Sequence, residues 1–311
     1  MIRWMLSRMI VAVVAVGLLP ALADAQTTRA AEKAPEGYEK LSLTRHQMKL
    51  EGGKLLPYTA RAGNMILRDE GGKAKASMFF VAYEAEAQQE RQRPITFVFN
   101  GGPGAASVWL HLGTVGPQSI LLGEGGHPPA PPYRLVENPF AWLAATDLVF
   151  IDPVGTGFSR PAQGENREQF FGVKEDVRWM GEFIRRYLSD YQRWLSPKFL
   201  AGESYGTTRA AALSEYLHDE LGIAINGIVM VSTVLDFQTI RPGDSNDLPY
   251  VLYLPSYAAS AWYHKQLGED LQKDLAATLK QVEEFALSEY SAALMQLAGE
   301  MNLRLEIEPR P

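Results

Sequence analysis

The chain contains no cysteine and only five histidines among its 311 residues. The absence of cysteine excludes disulfide bridges, thiol chemistry and cysteine-ligated metal sites, so burial of apolar side chains alone has to hold the fold together. The histidines are far apart in sequence and show no metal-ligand spacing, and we predict neither a metal nor another cofactor. A formal net charge of −6, with Lys and Arg scattered along the chain, argues against nucleic-acid binding.

The one long apolar stretch near the start, residues 9–22, is shorter than the roughly 20 residues that a membrane-spanning helix needs. It follows Arg3 and Arg8 and precedes Ala23-Asp24-Ala25, which together are typical of a secretory signal peptide. We therefore predict a signal peptide over residues 1–25, cleavage near Ala25, and a bacterial periplasmic or secreted protein without a stable membrane anchor. Residues 26–40 are polar, contain proline and are predicted as a disordered linker.

The most informative segment is Gly202-Glu203-Ser204-Tyr205-Gly206, which fits the Gly-x-Ser-x-Gly pattern of a nucleophile elbow. An apolar run ends at Ala201 before it and a helix-forming stretch follows it, as such an elbow requires. The pattern alone is a weak signal because Gly and Ser are common. With a strand before it and a helix after it, the pattern predicts an exposed nucleophilic serine at position 204.

A second glycine-rich segment, Asn100-Gly101-Gly102-Pro103-Gly104, follows the apolar run Ile95–Phe99. Acyl transfer needs backbone N–H groups aimed at an oxyanion, and glycines let the main chain approach without a side chain in the way. We predict Gly102 and Tyr205 as the two donors. The alternative is an ordinary tight turn, which most Gly-Pro-Gly segments form.

These two segments, with the intervening 152–159 segment Asp-Pro-Val-Gly-Thr-Gly-Phe-Ser, resemble the three successive signature blocks of the serine carboxypeptidases, the S10 peptidase family. The resemblance covers about residues 90–260. It implies an α/β-hydrolase fold, a Ser-Asp-His triad, and removal of C-terminal residues from peptides. It also implies Ser204 as the nucleophile, with Asn100, Gly101 and Glu203 binding the terminal carboxylate of the substrate.

Several positions depart from the family pattern. Glu203 can assist a substrate carboxylate only when it is protonated and donates a hydrogen bond, because two carboxylates repel each other. The family's supporting second glutamate before a Gly-Pro pair is missing, since Thr114 and Val115 precede Gly116-Pro117. The tryptophan that the family has two residues before Asn100 is Val98. These departures leave the nucleophile and oxyanion hole intact, but weaken the prediction of C-terminal preference.

The triad acid and base are not identifiable in this sequence. His218 stands fourteen residues after Ser204, which places it roughly 20 Å away along a helix at 1.5 Å rise per residue. His264 is an outside candidate for the base, with no orienting acid downstream. Asp236 ends an apolar run and is an outside candidate for the acid, whereas Asp152 is interpreted as structural. His111 is a candidate pocket residue, and His46 and His127 are interpreted as surface residues.

The order of segments predicts an α/β fold with a mixed, mostly parallel sheet, and the resemblance to the serine carboxypeptidases implies a helical insertion. Buried parallel strands are predicted at 95–99, 148–151, 199–201 and 228–234, and antiparallel strands at 54–67 and 76–84. We predict an α/β-hydrolase core over residues 41–250 and the start of a helical lid over 251–311, with one or two amphipathic helices at 268–300. No convincing strand follows the lid, so we expect a C-terminally truncated fragment lacking the last core strands.

Three functions remain open. The first is a serine carboxypeptidase with peptide substrates, inactive as this fragment. The second is an esterase or acyltransferase that uses the same serine, and the third is a non-catalytic exported α/β-hydrolase domain. Release of free C-terminal amino acids, against hydrolysis of p-nitrophenyl esters only, separates the first two.

Overall fold

The computed structural model describes residues 37–86, 93–243 and 246–296. The predicted signal peptide (1–25), the first part of the predicted linker (26–36) and the end of the predicted lid (297–311) lie outside these ranges. The interpretations given for those segments therefore stay predictions.

A mixed sheet of eight strands organises the described chain, in the order β1-β2-β3-β7-β4-β9-β10, with β8 paired to β3. A separate two-stranded sheet consists of β5 and β6. The strands are β1 (Tyr38–Lys49), β2 (Leu55–Arg68), β3 (Ala74–Ala85), β4 (Ile95–Phe99), β5 (Gln118–Ile120), β6 (Leu135–Glu137), β7 (Asp147–Ile151), β8 (Arg160–Pro161), β9 (Lys198–Glu203) and β10 (Gly227–Val231). This arrangement confirms the predicted α/β-hydrolase fold.

The half of the sheet that carries the sequence motifs is parallel: β4 pairs with β7 and β9, and β9 pairs with β10. All five residues of β4 and of β7 are buried, because helices or loops cover both faces of these strands. Parallel strands place their carboxyl ends at one edge of the sheet. The segments that follow β4, β7 and β9 therefore meet at that edge, and these are the three signature segments.

The other half is antiparallel and begins with a strand that the sequence did not predict. Strand β1 starts at Tyr38, so the predicted linker 26–40 is wrong for its last three residues. In β3 the buried positions alternate, with Met78, Phe80 and Ala82 fully buried. This alternation is typical of a strand with one face on the core.

Three helices lie between strands of this part of the chain. A short helix α1 (Val108–Leu110) follows β4, and the two long helices α2 (Val173–Asp190) and α3 (Tyr205–Asp219) precede and follow β9. Alternate side chains of β4 face opposite sides of the sheet. Phe97 and Phe99 pack in a core cluster with α2 and α3, while Val98 packs in a second cluster on the other face. Helix α3 therefore packs on the face of the sheet that carries Phe97 and Phe99, next to the loop that follows β4.

The predicted strand 228–234 is shorter in the structure and ends at Val231. The physical reason is Ser232, whose φ of 55° lies outside the extended region. In the described part of the chain β10 pairs only with β9, and Val229, Met230 and Val231 are exposed.

The predicted lid region is helical, with α4 (Leu248–Tyr263) and α5 (Leu275–Phe285). The prediction of helix from residue 268 is wrong at its start, because the Asp274 side chain accepts hydrogen bonds from the amides of Ala276 and Ala277 and so begins α5 there. Residues 286–296 continue as helix, and 297–300 lie outside the described ranges. Within those ranges, none of the helices combines the length and the apolar character required to span a bilayer.

Candidate active site

Ser204 occupies a sharp turn between β9 and α3. Its φ of 57° and ψ of −124° are unusual for a residue with a side chain. The strand ends at Glu203 and the helix begins at Tyr205, so a single residue makes the whole reversal. The Ser204 amide donates to the carbonyl of Val231 at 2.9 Å, and the Ser204 carbonyl accepts from the Thr207 amide at 2.9 Å. Both ends of the strained residue are therefore fixed by backbone hydrogen bonds.

The glycines on either side of Ser204 are required by close packing. A Cβ on Gly202 would lie 2.1 Å from the Gly206 carbonyl oxygen, and a Cβ on Gly206 would lie 3.0 Å from the Phe99 carbonyl oxygen. Larger residues would clash with backbone atoms, which cannot move aside as a flexible side chain can. The spacing Gly-x-Ser-x-Gly thus follows from the geometry of the turn.

The loop after β4 lies directly against the elbow. A Cβ on Gly101 would be 2.5 Å from the Tyr205 amide nitrogen and 2.8 Å from that of Gly206. Gly102 and Gly104 have φ values of 104° and 109°, a region that favours glycine. The structure thus brings the glycine-rich loop next to the amide of the residue that follows Ser204.

Two of the residues predicted to bind a substrate carboxylate contact each other. The Asn100 side-chain amide donates to Glu203 Oε2 at 3.1 Å, and Asn100 Oδ1 accepts from the Leu110 amide at 3.1 Å. Asn100 is fully buried and Glu203 is half-buried. The Asn100 amide therefore has a fixed orientation, and the Glu203 carboxyl is held beside the elbow.

The segment that follows β7 is hydrogen-bonded to the chain just after the glycine-rich loop. Asp152 is buried and accepts hydrogen bonds from the amides of Ser107 and Phe158, at 3.0 and 3.2 Å. Burial raises the pKa of Asp152, and these amide hydrogen bonds oppose that rise. The Ser159 hydroxyl donates to the Asp152 carbonyl at 2.7 Å. These contacts agree with the interpretation of Asp152 as a structural residue.

A buried ion pair that the sequence did not indicate lies beneath the elbow. Arg209 on α3 is 1% exposed and its Nε lies 2.7 Å from Asp176 Oδ2 in the first turn of α2. Arg209 Nη1 donates to the carbonyl of Asn100 at 2.7 Å. Position 209 is four residues after Tyr205, so both side chains share one face of α3.

A cavity of about 270 Å³ opens beside these residues, and Pro103, Gly155, Phe171, Tyr205 and Arg209 are among those that line it. Burial is the main cause that raises the pKa of the Tyr205 hydroxyl, which stays protonated at neutral pH and lies 3.4 Å from Asp176 Oδ2. The cavity joins the glycine-rich loop to the segment after β7.

The remaining candidates for a triad are not brought to Ser204. His218 lies exposed in the last turn of α3, and His264 lies exposed at the end of α4. Asp236 is exposed and caps a short helical turn by accepting from the Gln238 amide at 2.8 Å. In residues 37–86, 93–243 and 246–296, the Ser204 hydroxyl has no histidine as a hydrogen-bond partner.

Of the other three histidines, two stack on aromatic rings and one is exposed. His111 stacks on Phe150 with ring centroids 4.3 Å apart, and its Nε2 is 2.7 Å from the Tyr83 hydroxyl. Burial lowers the pKa of His111 to about 4, so the ring is neutral at pH 7. His46 stacks on Tyr58, and His127 is exposed.

Comparison with known proteins identifies the family. The family model for serine carboxypeptidases matches residues 57–300. Serine carboxypeptidase-like 34 of Arabidopsis thaliana is 28% identical over 207 residues, which cover 62% of this chain and 38% of that protein. The carboxypeptidase Y homolog of Arthroderma benhamiae is 31% identical over 145 residues, covering 46% of this chain and 26% of that protein.

A solved structure is also similar. The prohormone-processing carboxypeptidase Kex1 of Saccharomyces cerevisiae aligns with 74% of this chain and 48% of its own, with 21% identity and a TM-score of 0.49. The chain thus spans less than half the length of each of these three proteins. Since the family model matches well over half of the 311 residues, the protein belongs to the serine carboxypeptidase family.

Proposed function

We propose that this protein acts as a serine-type carboxypeptidase, with Ser204 as the nucleophile. The observation that supports this most directly is the backbone at the elbow: a serine with φ 57° beside a glycine loop whose Gly101 packs against the Tyr205 amide. Such a turn costs roughly 1–3 kcal/mol and persists where the surrounding structure over-determines it. Strain at the residue that we propose as the nucleophile supports a catalytic role.

In the proposed reaction the Ser204 oxygen attacks the carbonyl carbon of the last peptide bond, and its proton passes to a general base. The carbonyl oxygen becomes an oxyanion that accepts hydrogen bonds from the amides of Gly102 and Tyr205. Collapse of this intermediate breaks the C–N bond, and the C-terminal residue leaves as an amine that takes up the proton. Water then attacks the ester on Ser204, which releases the shortened peptide and restores the hydroxyl.

Recognition of the substrate's terminal carboxylate is assigned to Asn100, Gly101 and Glu203. The Asn100 amide donates to Glu203 Oε2 and so holds this carboxyl group beside the elbow, where its other oxygen is proposed to face the substrate. The Gly101 amide supplies a second donor without a side chain to block the approach. Two donors on one carboxylate would favour peptides with a free C-terminus over amidated ones.

In the described residues no histidine is hydrogen-bonded to the Ser204 hydroxyl, so we expect Ser204 to react slowly unless a base is supplied. Added imidazole can replace a missing histidine base, which contributes roughly 10²–10⁴-fold where it is present. We expect a fluorophosphonate probe to label Ser204, and imidazole to increase the rate of labelling. Peptide mapping by mass spectrometry identifies the labelled residue, and Ser204→Ala is the control.

Labelling that is unchanged in Ser204→Ala would refute Ser204 as the nucleophile. Rapid labelling of the unmodified chain without imidazole would show instead that a working base is already in place. Either outcome is read from the same peptide map, so the nucleophile and the base are tested separately.

A second function, an esterase or acyltransferase on the same serine, is favoured by the residues before Gly116-Pro117. Thr114 and Val115 provide no second carboxyl group to keep Glu203 protonated. The test compares an N-acylated dipeptide with a p-nitrophenyl ester in the presence of imidazole. Ester hydrolysis without release of a free amino acid would support this second function and contradict the first.

We also propose that the protein is exported, with cleavage near Ala25. This rests on the basic, apolar and small-residue segments at the start of the sequence. N-terminal sequencing of the protein from the periplasm or medium should begin near Gln26. A mature protein that retains Met1 would contradict the proposal.

A further inference from the structure

Among the residues that the structure describes, Arg209 is the largest of the fully buried side chains, and it joins three separate segments. Its Nε pairs with Asp176 at the start of α2, and its Nη1 donates to the Asn100 carbonyl at the start of the glycine loop. Its guanidinium also lies over the rings of Phe99 and Tyr205, with centroids 5.4 and 5.1 Å away. One side chain thus connects the loop, the elbow helix and α2.

Stability alone does not account for this arrangement. Desolvating both charges offsets much of their attraction, and apolar residues of similar volume often serve as well or better in such places. What an apolar pair cannot do is donate to the Asn100 carbonyl while remaining fixed to α2. The planar guanidinium has donors that point in two directions at once, which suits it to orienting a backbone group.

The hydrogen bond to the Asn100 carbonyl also determines where the next amide points. The Asn100–Gly101 peptide bond is trans, so its N–H points opposite to its carbonyl. The carbonyl points inward to buried Arg209, and the Gly101 N–H therefore points away from Arg209, the side on which the substrate carboxylate is proposed to lie. The Gly101 carbonyl accepts from the Ala105 amide at 3.2 Å, which holds the far side of the same residue.

We propose that the Arg209–Asp176 pair is a positioning device that aims the Gly101 N–H at the terminal carboxylate of the substrate. The proposal rests on the proposed function, because it requires that Gly101 contacts that carboxylate. In this proposal Arg209 acts through the Asn100–Gly101 peptide and does not itself contact the carboxylate. Losing the pair should weaken selection for a free C-terminus more than it weakens binding of the rest of the peptide.

The test measures binding rather than turnover, so it does not depend on the general base. All variants carry Ser204→Ala, and isothermal titration calorimetry compares N-acetyl-Phe-Leu with its C-terminal amide. Arg209→Met alone leaves Asp176 as a buried unpaired charge and risks unfolding. The informative variant is therefore Arg209→Met with Asp176→Leu, whose fold is checked by its unfolding temperature.

A matched control is available at the opposite end of the sheet. Arg61 and Glu84 form another largely buried ion pair at 2.8 Å, between β2 and β3. The double variant Arg61→Met with Glu84→Leu removes a comparable pair without touching the glycine loop. It should keep the same preference for the free acid as the Ser204→Ala parent.

We expect the parent to bind the acid at least about tenfold more tightly than the amide, as for one hydrogen bond to a charged group. In the Arg209/Asp176 double variant this ratio should fall several-fold, because Glu203 remains as the other donor, with little change in affinity for the amide. If the folded double variant keeps the parent's ratio, the positioning role is refuted while the proposed function stands. If the parent itself binds acid and amide equally, carboxylate recognition fails and the positioning role fails with it.

Discussion

The contact between the glycine loop and the elbow can be tested by adding a single methyl group at Gly101. An alanine Cβ there would lie 2.5 Å from both the Glu203 carbonyl oxygen and the Tyr205 amide nitrogen. Ordinary contact begins at about 3.4 Å, so the loop has to retreat by about 0.9 Å. The obstructing atoms are backbone atoms of the strained elbow, and they cannot rotate away.

A retreat of this size should separate the Gly102 amide from the oxyanion it is proposed to bind. Removing one oxyanion donor costs about 10²–10³-fold in rate, and misplacement by about 1 Å has a comparable effect. We therefore expect Gly101→Ala to label with a fluorophosphonate about 10²-fold more slowly than the unmodified chain, with imidazole supplied as base. The labelling rate is measured by intact-protein mass spectrometry against time.

Gly113→Ala is the matched control, because a Cβ at Gly113 meets no atom within 4 Å. Gly113 lies four residues before Pro117, on the same long connection after β4. The Gly113→Ala variant should react with the fluorophosphonate at the rate of the unmodified chain. If Gly101→Ala also labels at that rate while remaining folded, the loop does not supply an oxyanion donor. The proposed mechanism would then lose its electrostatic component.

Three further predictions concern single residues around the site. Burial lowers the pKa of His111 to about 4 from an unfolded value near 6.5, so stability is lost as the pH falls between these values. In urea unfolding, the unmodified chain should therefore lose about 2 kcal/mol more than His111→Gln between pH 7.5 and pH 5. Equal losses in the two proteins would contradict this prediction. Ser204→Gly should raise the free energy of unfolding by about 1 kcal/mol, because glycine adopts φ 57° without strain, and a decrease would show that the turn is relaxed. Asp236→Ala should lower stability by about 1 kcal/mol through loss of a cap but leave Ser204 labelling unchanged, whereas slower labelling would make Asp236 a catalytic acid.

The sequence was most informative where the backbone itself is constrained. Gly202, Ser204 and Gly206 could be placed on a strand–turn–helix because only small residues fit that turn, and the structure has this geometry. The parallel strands β4 and β7 were also predictable, because both their faces are buried and their residues are mostly apolar. At such positions the local sequence is enough to predict the structure, and contacts with distant segments need not be known.

Other features depend on contacts between segments far apart in the chain and could not be predicted this way. Strand β1 has few buried side chains and is defined by its pairing with β2, so its pattern resembles a polar linker. Arg209 and Asp176 are 33 residues apart, and nothing local indicates that α2 and α3 pack closely enough to join them. Each is an ordinary helix residue by sequence, and only the fold makes them a pair.

Ser204 and Arg209 both carry an energetic cost, and they belong to the same six residues of chain. Strain at the elbow and desolvation of a buried guanidinium each oppose folding. Both are held by contacts to one loop: Gly101 packs on the elbow, and the Asn100 carbonyl receives Arg209. Because the same loop contacts both residues, a change that moves the loop away from Ser204 should also weaken its hydrogen bond to Arg209, and the reverse should hold. A Gly101 substitution and loss of the Arg209–Asp176 pair should therefore produce the same defect in carboxylate selection, and combining them should add little to either one alone.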